Sequence, residues 1–222
     1  MAVDLDLVAR QGDLFGAAKP DRPAGFRYRP EAISPALADD LMARFEALPF
    51  EAFDFHGFKG HRRVVYFGWR YDFSRARIEA AAPIPDYLNA VRLAAADLAG
   101  VAPGNLVQVL INQYPPGAGI GWHRDRPQFG KVVGISLGAA APLRFRRATA
   151  GGWDRRSVRT ETRSAYLLDG DAREVWEHSL NPVEALRYSI TLRTLRPAAG
   201  GLSRHGSFAA GPDAARDGAV GG

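Results

Sequence analysis

The second half of the chain constrains its fold most. From Leu106 onward, LVQVLINQY, KVVGISLG, PLRFRR, RSAYLLD, REVWEHSL and RYSITLRTL are short runs rich in Val, Ile, Tyr, Phe and Thr, many of them separated by Pro, Gly, Asn or Asp. Branched and aromatic side chains suit a pleated surface and the separators suit turns, so these runs are read as strands. The first half has a different texture. SPALADDLMARFEAL offers Ser34 as a helix N-cap ahead of Leu37, Leu41, Met42 and Phe45. IPDYLNAVRLAAADLAG carries Leu88, Val91, Leu93, Ala94 and Leu98 before a closing Gly100. Both follow a helical period with recognisable ends. Helices first and strands afterwards predict an α+β fold, a barrel or sandwich of strands behind a helical layer.

The length of 222 residues fits one domain, and 46% hydrophobic residues suffice for its core. Residues 1–24 are read as a flexible lead-in, on which Leu14 and Phe15 can still dock, and 25–196 as the domain. Residues 197–222, rich in Gly and Ala without an apolar period, are read as a disordered tail. The chain has no cysteine, which excludes disulfides, a disulfide-linked partner, thiolate metal sites and cysteine nucleophiles. No apolar run is long enough to cross a bilayer, so no membrane partner is expected. The opening MAVDLDLVARQGDLF lacks the order of a secretory signal, and a cytoplasmic monomer is the expectation.

The formal net charge is +5 and the pI about 9.8. A basic balance suits an anionic partner, nucleic acid first, and equally suits an Arg-rich solvated surface. The charge is uneven: seven arginines (144, 146, 147, 155, 156, 159 and 163) stand against Asp154 and Glu161.

Five histidines are present, at 56, 61, 123, 178 and 205. His123 lies in GWHRD, two residues before Asp125. Positions i and i+2 of a strand share a face, so an imidazole and a carboxylate can converge on one point. His178, in the strand-like VWEHSL, is the candidate for a third ligand. Two histidines and one carboxylate on one face of an octahedron leave positions open for a cosubstrate and O2, the arrangement suited to non-haem Fe(II). The same ligands do not exclude zinc. His56 and His61, in a Gly-containing loop, and His205, in the tail, are read as solvated.

Two strands add a second constellation. In LVQVLINQY, Gln108, Leu110, Asn112 and Tyr114 share one face; in RYSITLRTL, Arg187, Ser189, Thr191 and Arg193 share one face while Tyr188, Ile190 and Leu192 share the other. The apolar set is expected to pack against the helices and the polar set to line an interior. Two inward arginines are costly unless anions meet them. A dicarboxylate beside the metal supplies such anions, gripped by the guanidinium fork.

These segments resemble the AlkB family. INQYPPGAGIGWHRD is similar to its N-x-Y-x-x-G segment running into H-x-D, and REVWEHSLNPVEALRYSITLRTLR to its third histidine followed by R-x-(N/S)-x-T-x-R. VVGISLG and LRFR resemble the strands between, so the likeness spans roughly residues 106–196 and extends more weakly back to about residue 26. The resemblance implies a double-stranded β-helix (jelly-roll) core and an Fe(II)- and 2-oxoglutarate-dependent dioxygenase using O2. On it, His123, Asp125 and His178 match the metal ligands. Arg187 matches the partner of the distal carboxylate of 2-oxoglutarate, assisted by Tyr114, and Asn112, Ser189 and Arg193 match positions around its near end. Family chemistry converts 2-oxoglutarate to succinate and CO2 and hydroxylates a C–H bond, which releases an aldehyde when that carbon sits on nitrogen. Arg173 is a candidate for orienting Asp125 or His178, and Trp176 is read as core.

The resemblance implies alkylated DNA or RNA as substrate for oxidative demethylation, with a protein or small molecule as the alternative and an inactive nucleic-acid-binding module as a third. The candidate surface is residues 57–73, where Arg62, Arg63 and Arg70 interleave with Tyr66, Phe67, Trp69 and Tyr71, similar to the family's substrate lid. Such residues can meet phosphates and stack on bases; a half-buried structural hairpin is the other reading. Pro127 stands two positions after Asp125, where nucleic-acid repair members commonly carry an acidic base reader. That departure argues against a standard 1-methyladenine or 3-methylcytosine preference.

Overall fold

The computed structural model describes residues 21–196 apart from 56, 57, 73, 74 and 76. The tail, most of the lead-in, Leu14, Phe15, His56 and His205 therefore lie outside the described residues. In chain order the elements are β1 (Phe26–Arg29), α1 (Pro35–Glu46), β2 (Glu51–Phe55), β3 (Phe58–Phe67), β4 (Trp69–Asp72), β5 (Arg77–Ala80) and α2 (Asn89–Ala99). There follow β6 (Gln108–Tyr114), β7 (Ile120–His123), β8 (Phe129–Gly138), β9 (Ala141–Thr149), β10 (Gly152–Thr160), β11 (Ala165–Leu168), α3 (Gly170–Glu174), β12 (Glu177–Leu180) and β13 (Arg187–Leu195).

Both expected helices form where their end signals place them. The Ser34 hydroxyl accepts from the backbone N–H of Leu37 and Pro35 opens the first turn of α1. A 3-10 turn at Asp86–Leu88 precedes α2, which ends on Gly100 in the left-handed region. Their buried faces, Ala38, Leu41 and Phe45 on α1 and Val91, Ala95 and Leu98 on α2, point the same way.

They cover a seven-stranded sheet of order β1-β11-β8-β13-β6-β3-β2. Strand β13 lies at its centre, antiparallel to both β8 and β6, and alternates as the sequence predicts. Tyr188, Ile190 and Leu192 join Ile111, Ile135 and Leu167 in the core under the helices. Arg187, Ser189, Thr191 and Arg193 face the other way, into a cavity. A second sheet, β10-β9-β12-β7, closes that cavity from the opposite side, contributing Ile120, Leu143 and Leu180. Two antiparallel sheets around a lined interior, with helices against the larger one, make an α+β double-stranded β-helix.

Three local outcomes differ from the sequence expectation. REVWEHSL is not one strand: Asp169 caps the short α3 by accepting from Gly170 N–H, and only Glu177–Leu180 is extended. A strand absent from the expectation, β10, pairs residue for residue with β9 from Gly152↔Thr149 to Thr160↔Ala141. Its arginines hid its alternation, because a charged outward face reads as a solvated run. Finally, β7 ends at His123, so Asp125 lies just past the strand.

Candidate active site

The two strands bearing the histidines are far apart in the chain and adjacent in space. Antiparallel β12 pairs with β7, and His178 is the register partner of His123. Their ring centroids are 4.3 Å apart. The carboxylate of Asp125 approaches from the segment after β7, with Oδ2 3.7 Å from His178 Nε2. Arg193 fixes it: Nε and Nη2 donate to Oδ1 at 2.9 and 2.6 Å, while Nη1 donates to Gln108 Oε1 at 2.8 Å. Arg193 thus holds the acid of the donor set as well as lining the cavity. Arg173 acts one step further out. It donates to the backbone carbonyls of Arg126, Phe129 and Gly130, which staples the turn that follows Asp125. Trp176 is a core residue, as expected.

The electrostatics favour metal binding. Burial pushes the Asp125 carboxyl up, but Arg193, His178 and His123 outweigh it and hold the acid below the usual carboxylate range. Burial and the neighbouring His123 pull His178 down to about 3 despite Asp125, and burial also lowers His123. An ionised carboxylate and two neutral imidazoles are the protonation states a cation requires. His123 Nδ1 lies 2.9 Å from Gly121 O, which leaves Nε2 as the ring nitrogen able to meet a cation, and His178 Nδ1 is buried without a hydrogen-bond partner among the described residues. Among the described residues no three such side chains already stand at ion-holding distance. The donors are gathered, with one oxygen of Asp125 occupied by Arg193, and the chemistry of the set fits Fe(II).

Arg187 lies deep in the same cavity, 3% exposed. It donates to Ala139 O, Ser136 Oγ and Thr160 Oγ1, yet its buried Nε has no partner among the described residues. Among the described residues it has no carboxylate partner; the nearby groups of opposite tendency are the hydroxyls of Tyr166, Tyr114 and Tyr28. Burial consequently depresses its pKa. A buried guanidinium with an orphaned N–H and no anion fits the far carboxylate of a dicarboxylate cosubstrate. Tyr114, Ser189 and Asn112 line the cavity with it. Asn112 donates to Ser189 O and Thr191 Oγ1, and its Oδ1 accepts from Arg62. The cavity has an empty volume of about 530 Å³, its open mouth included.

The sequence reasoning missed Tyr166. It lines the cavity, and burial beside Tyr114 raises its pKa to about 12. The inward phase of Tyr166 and Leu168 in RSAYLLD was the available signal.

The residues of the expected lid separate. Arg62 is buried in the cavity wall, bonded to Asn112. Arg63, one position on, faces the opposite side and donates to Gln113 and to the Phe50 carbonyl. Phe67 packs in the core beneath the helices. Tyr66 shares the Arg62 phase on β3, and burial raises its pKa. Strands β4 and β5 form a separate hairpin in which Arg70 pairs with Glu79, Trp69 is partly exposed, and Arg126 lies 4.9 Å over the Tyr71 ring. The grouping of three arginines on one phosphate-facing surface is therefore corrected: the alternation of β3 puts Arg63 on the helix side. Pro127 is exposed.

Fold and cavity together are those of a jelly-roll, non-haem oxygenase. The 2OG-Fe(II) oxygenase superfamily matches residues 26–194, and the chain belongs to that family, whose members use Fe(II), 2-oxoglutarate and O2. Among similar proteins, uncharacterized protein L905 of Acanthamoeba polyphaga mimivirus is 30% identical over 77 residues, 34% of this chain and 36% of that protein. The Mus musculus tRNA (carboxymethyluridine(34)-5-O)-methyltransferase ALKBH8 is 28% identical over 127 residues, 55% of this chain and 19% of that protein. The chain thus spans well under half the length of these curated relatives. The solved structure of OsALKBH1 superposes with a TM-score of 0.59 at 17% identity, covering 79% of this chain and 99% of that one. A Pseudomonas putida prolyl-4-hydroxylase does so with a TM-score of 0.55 at 16% identity, covering 78% and 94%. No helix among the described residues is long and apolar enough to cross a membrane.

Proposed function

We propose that the protein oxidatively removes alkyl groups from nucleic-acid bases, with His123, Asp125 and His178 holding Fe(II) and Arg187, beside Tyr114, holding the distal carboxylate of 2-oxoglutarate. The observation that carries the site is the buried Arg187, without a carboxylate partner among the described residues, facing the same cavity as His123, Asp125 and His178. When bound, iron with 2-oxoglutarate and O2 supplies an oxidation that yields succinate and CO2 and places one oxygen atom in a substrate C–H bond. The chain's residues orient and enclose. Arg193 keeps Asp125 ionised and aimed, Arg187 sets the angle of the cosubstrate, and the walls of Leu110, Leu143 and Leu180 exclude water. A carbon hydroxylated beside nitrogen then leaves as an aldehyde.

Nucleic acid is supported by the β4–β5 hairpin. Trp69 and Tyr71 share one face of β4, and Tyr71 packs on Arg126, next to Asp125. An aromatic pair beside a cation is suited to receiving an extruded base. The relative ALKBH8 is described as a tRNA methyltransferase, which points toward RNA. Pro127 favours a second reading, hydroxylation of a protein or small molecule, because no acidic side chain stands there to read a base.

The test is mass spectrometry of methylated DNA and RNA oligomers incubated with Fe(II), 2-oxoglutarate and ascorbate. The expected result is succinate in step with loss of methyl groups from at least one oligomer. Trp69→Ala and Tyr71→Ala should each weaken substrate binding by roughly 1–3 kcal/mol where a base is stacked. Succinate formation with every oligomer unchanged would transfer the proposal to the second reading.

A further inference from the structure

The arginine-rich stretch noted in the sequence turns out to be the β9–β10 hairpin, and its charges divide between two faces. Arg147 and Arg156 turn toward buried Asp154 and stack on Trp176. Arg144, Arg146, Arg155 and Arg159 fall in the other phase, on the back of the sheet whose front carries His123 and His178.

That back face is built from arginine and tryptophan in alternation. Arg146 lies between two indoles, 4.6 Å from the Trp122 ring and 4.2 Å from that of Trp153. Arg144 covers Trp122 from 4.9 Å. Trp153 is 44% exposed. Two acids neutralise part of the charge: Glu177 bonds Arg146 at 2.6 Å and Glu161 bonds Arg159 at 2.7 Å. Arg144, bonded to Ser179 Oγ, and the exposed Arg155 have no carboxylate partner among the described residues. Arg155 is also the register partner of Arg146. Like charges directly opposite on a sheet are unfavourable, and an external anion offsets them.

We infer that this back face is a second contact surface for a single-stranded nucleic acid, with Arg144 and Arg155 meeting phosphates and Trp153 stacking on a base. Cationic groups spaced along aromatic platforms are what a strand with alternating phosphates and bases requires. An acidic peptide would use the charges and leave the exposed indole without a matching group. The geometry also connects the face to the cavity edge and to the β4–β5 hairpin. Strand β7 is the edge of its sheet and carries Trp122 on the back and His123 toward the cavity, and Arg126, shortly after it, touches Tyr71 of the β4–β5 hairpin. A strand crossing that edge would run from the platform to the cavity. The inference rests on the nucleic-acid reading above only for the choice of partner; strand binding can be measured without turnover.

The experiment is fluorescence anisotropy of the full chain with a labelled, unmodified 20-mer single strand at two salt concentrations, in DNA and in RNA form. Arg144→Gln combined with Arg155→Gln should weaken binding at least fivefold at the lower salt. It should also reduce the slope of log affinity against log salt by about 1.4, roughly 0.7 for each phosphate that is no longer neutralised. Trp153→Ala should weaken binding with the slope unchanged. All these side chains lie outside the core, so melting temperatures equal to wild type will separate a weakened surface from a damaged fold. Wild-type affinity and slope in the double variant overturn the inference. So does equal binding of a polyglutamate of matched charge with Trp153→Ala silent, which would assign the face to an acidic protein. Loss of strand binding in the double variant, alongside no modification of any methylated oligomer by wild type, would keep this surface and remove the proposed reaction. Intact turnover of an oligomer with the double variant binding normally would do the reverse.

Discussion

Among the described residues Arg187 has three hydrogen bonds, no carboxylate partner, and a buried Nε with nothing to donate to. A cation kept in that state is poised for an anion that arrives from outside. Arg187→Gln should therefore weaken 2-oxoglutarate binding by about 2–5 kcal/mol, the range for removing one partner of a buried charged pair. Calorimetric titration with Mn(II) in place of iron measures it, and an unchanged Kd would show that the cosubstrate lies elsewhere in the cavity. A neighbouring glycine makes a second prediction. Gly134 is the register partner of Tyr166, and a Cβ there would fall on the Tyr166 ring. Gly134→Ala should destabilise by about 1–3 kcal/mol, as overpacking does, and should weaken 2-oxoglutarate as the ring shifts in the cavity wall. Normal melting with normal cosubstrate affinity would contradict it. At this scale Arg187 was legible because an inward arginine on a strand demands an explanation. Arg173 and Tyr166 were less so, because one acts on backbone carbonyls and the other sits in an apolar run.

Elements announce themselves through their ends and their period. Ser34 before Pro35 and Gly100 after Ala99 mark α1 and α2 in the sequence, and the structure places the caps there. Ser34→Ala removes the acceptor for Leu37 N–H and should cost about 1 kcal/mol. A domain of this size should then melt roughly 2–4 °C lower; no change would mean that solvent replaces the cap. Strand β13 was equally readable, because its two faces differ in kind. The strand β10 was not, because outward arginines at 155 and 159 and a paired inward arginine at 156 erase the usual contrast of apolar and polar. The lid segment shows the same limit. A strand's phase assigns Arg62 and Arg63 to opposite faces, but which face meets the cavity depends on β6 beside it.

For the whole molecule, the sheets are joined by the cavity between them, and what fills the cavity should bind them together. Fe(II) or Mn(II) with 2-oxoglutarate, bound only by the folded chain, should raise the melting temperature. At a hundredfold excess over Kd one ligand adds about 2.7 kcal/mol. Chelation should return the melt to that of the ligand-free protein, and His178→Ala should abolish the metal-dependent part. A melt indifferent to metal and chelator would contradict the assignment of His123, Asp125 and His178. The layer order was legible, since helices preceded strands in the chain. The pairing of strands was not: nothing local in GWH or EHSL states that the two segments will lie side by side.

The pairing of His178 with His123 sets a rule for insertions and deletions. Residues on a strand change sides with every step. Removing the one residue of β12 ahead of His178, Glu177, would turn that histidine to the back of the sheet, among Arg144, Arg146 and Trp122, and bring Ser179 to the front. Loops such as the one between β9 and β10 can change length without this exchange. In the short strands β7 and β12, a single-codon deletion would do more than a substitution: it would trade the contents of the two faces, and the protein would present a histidine of the cavity where its arginines belong.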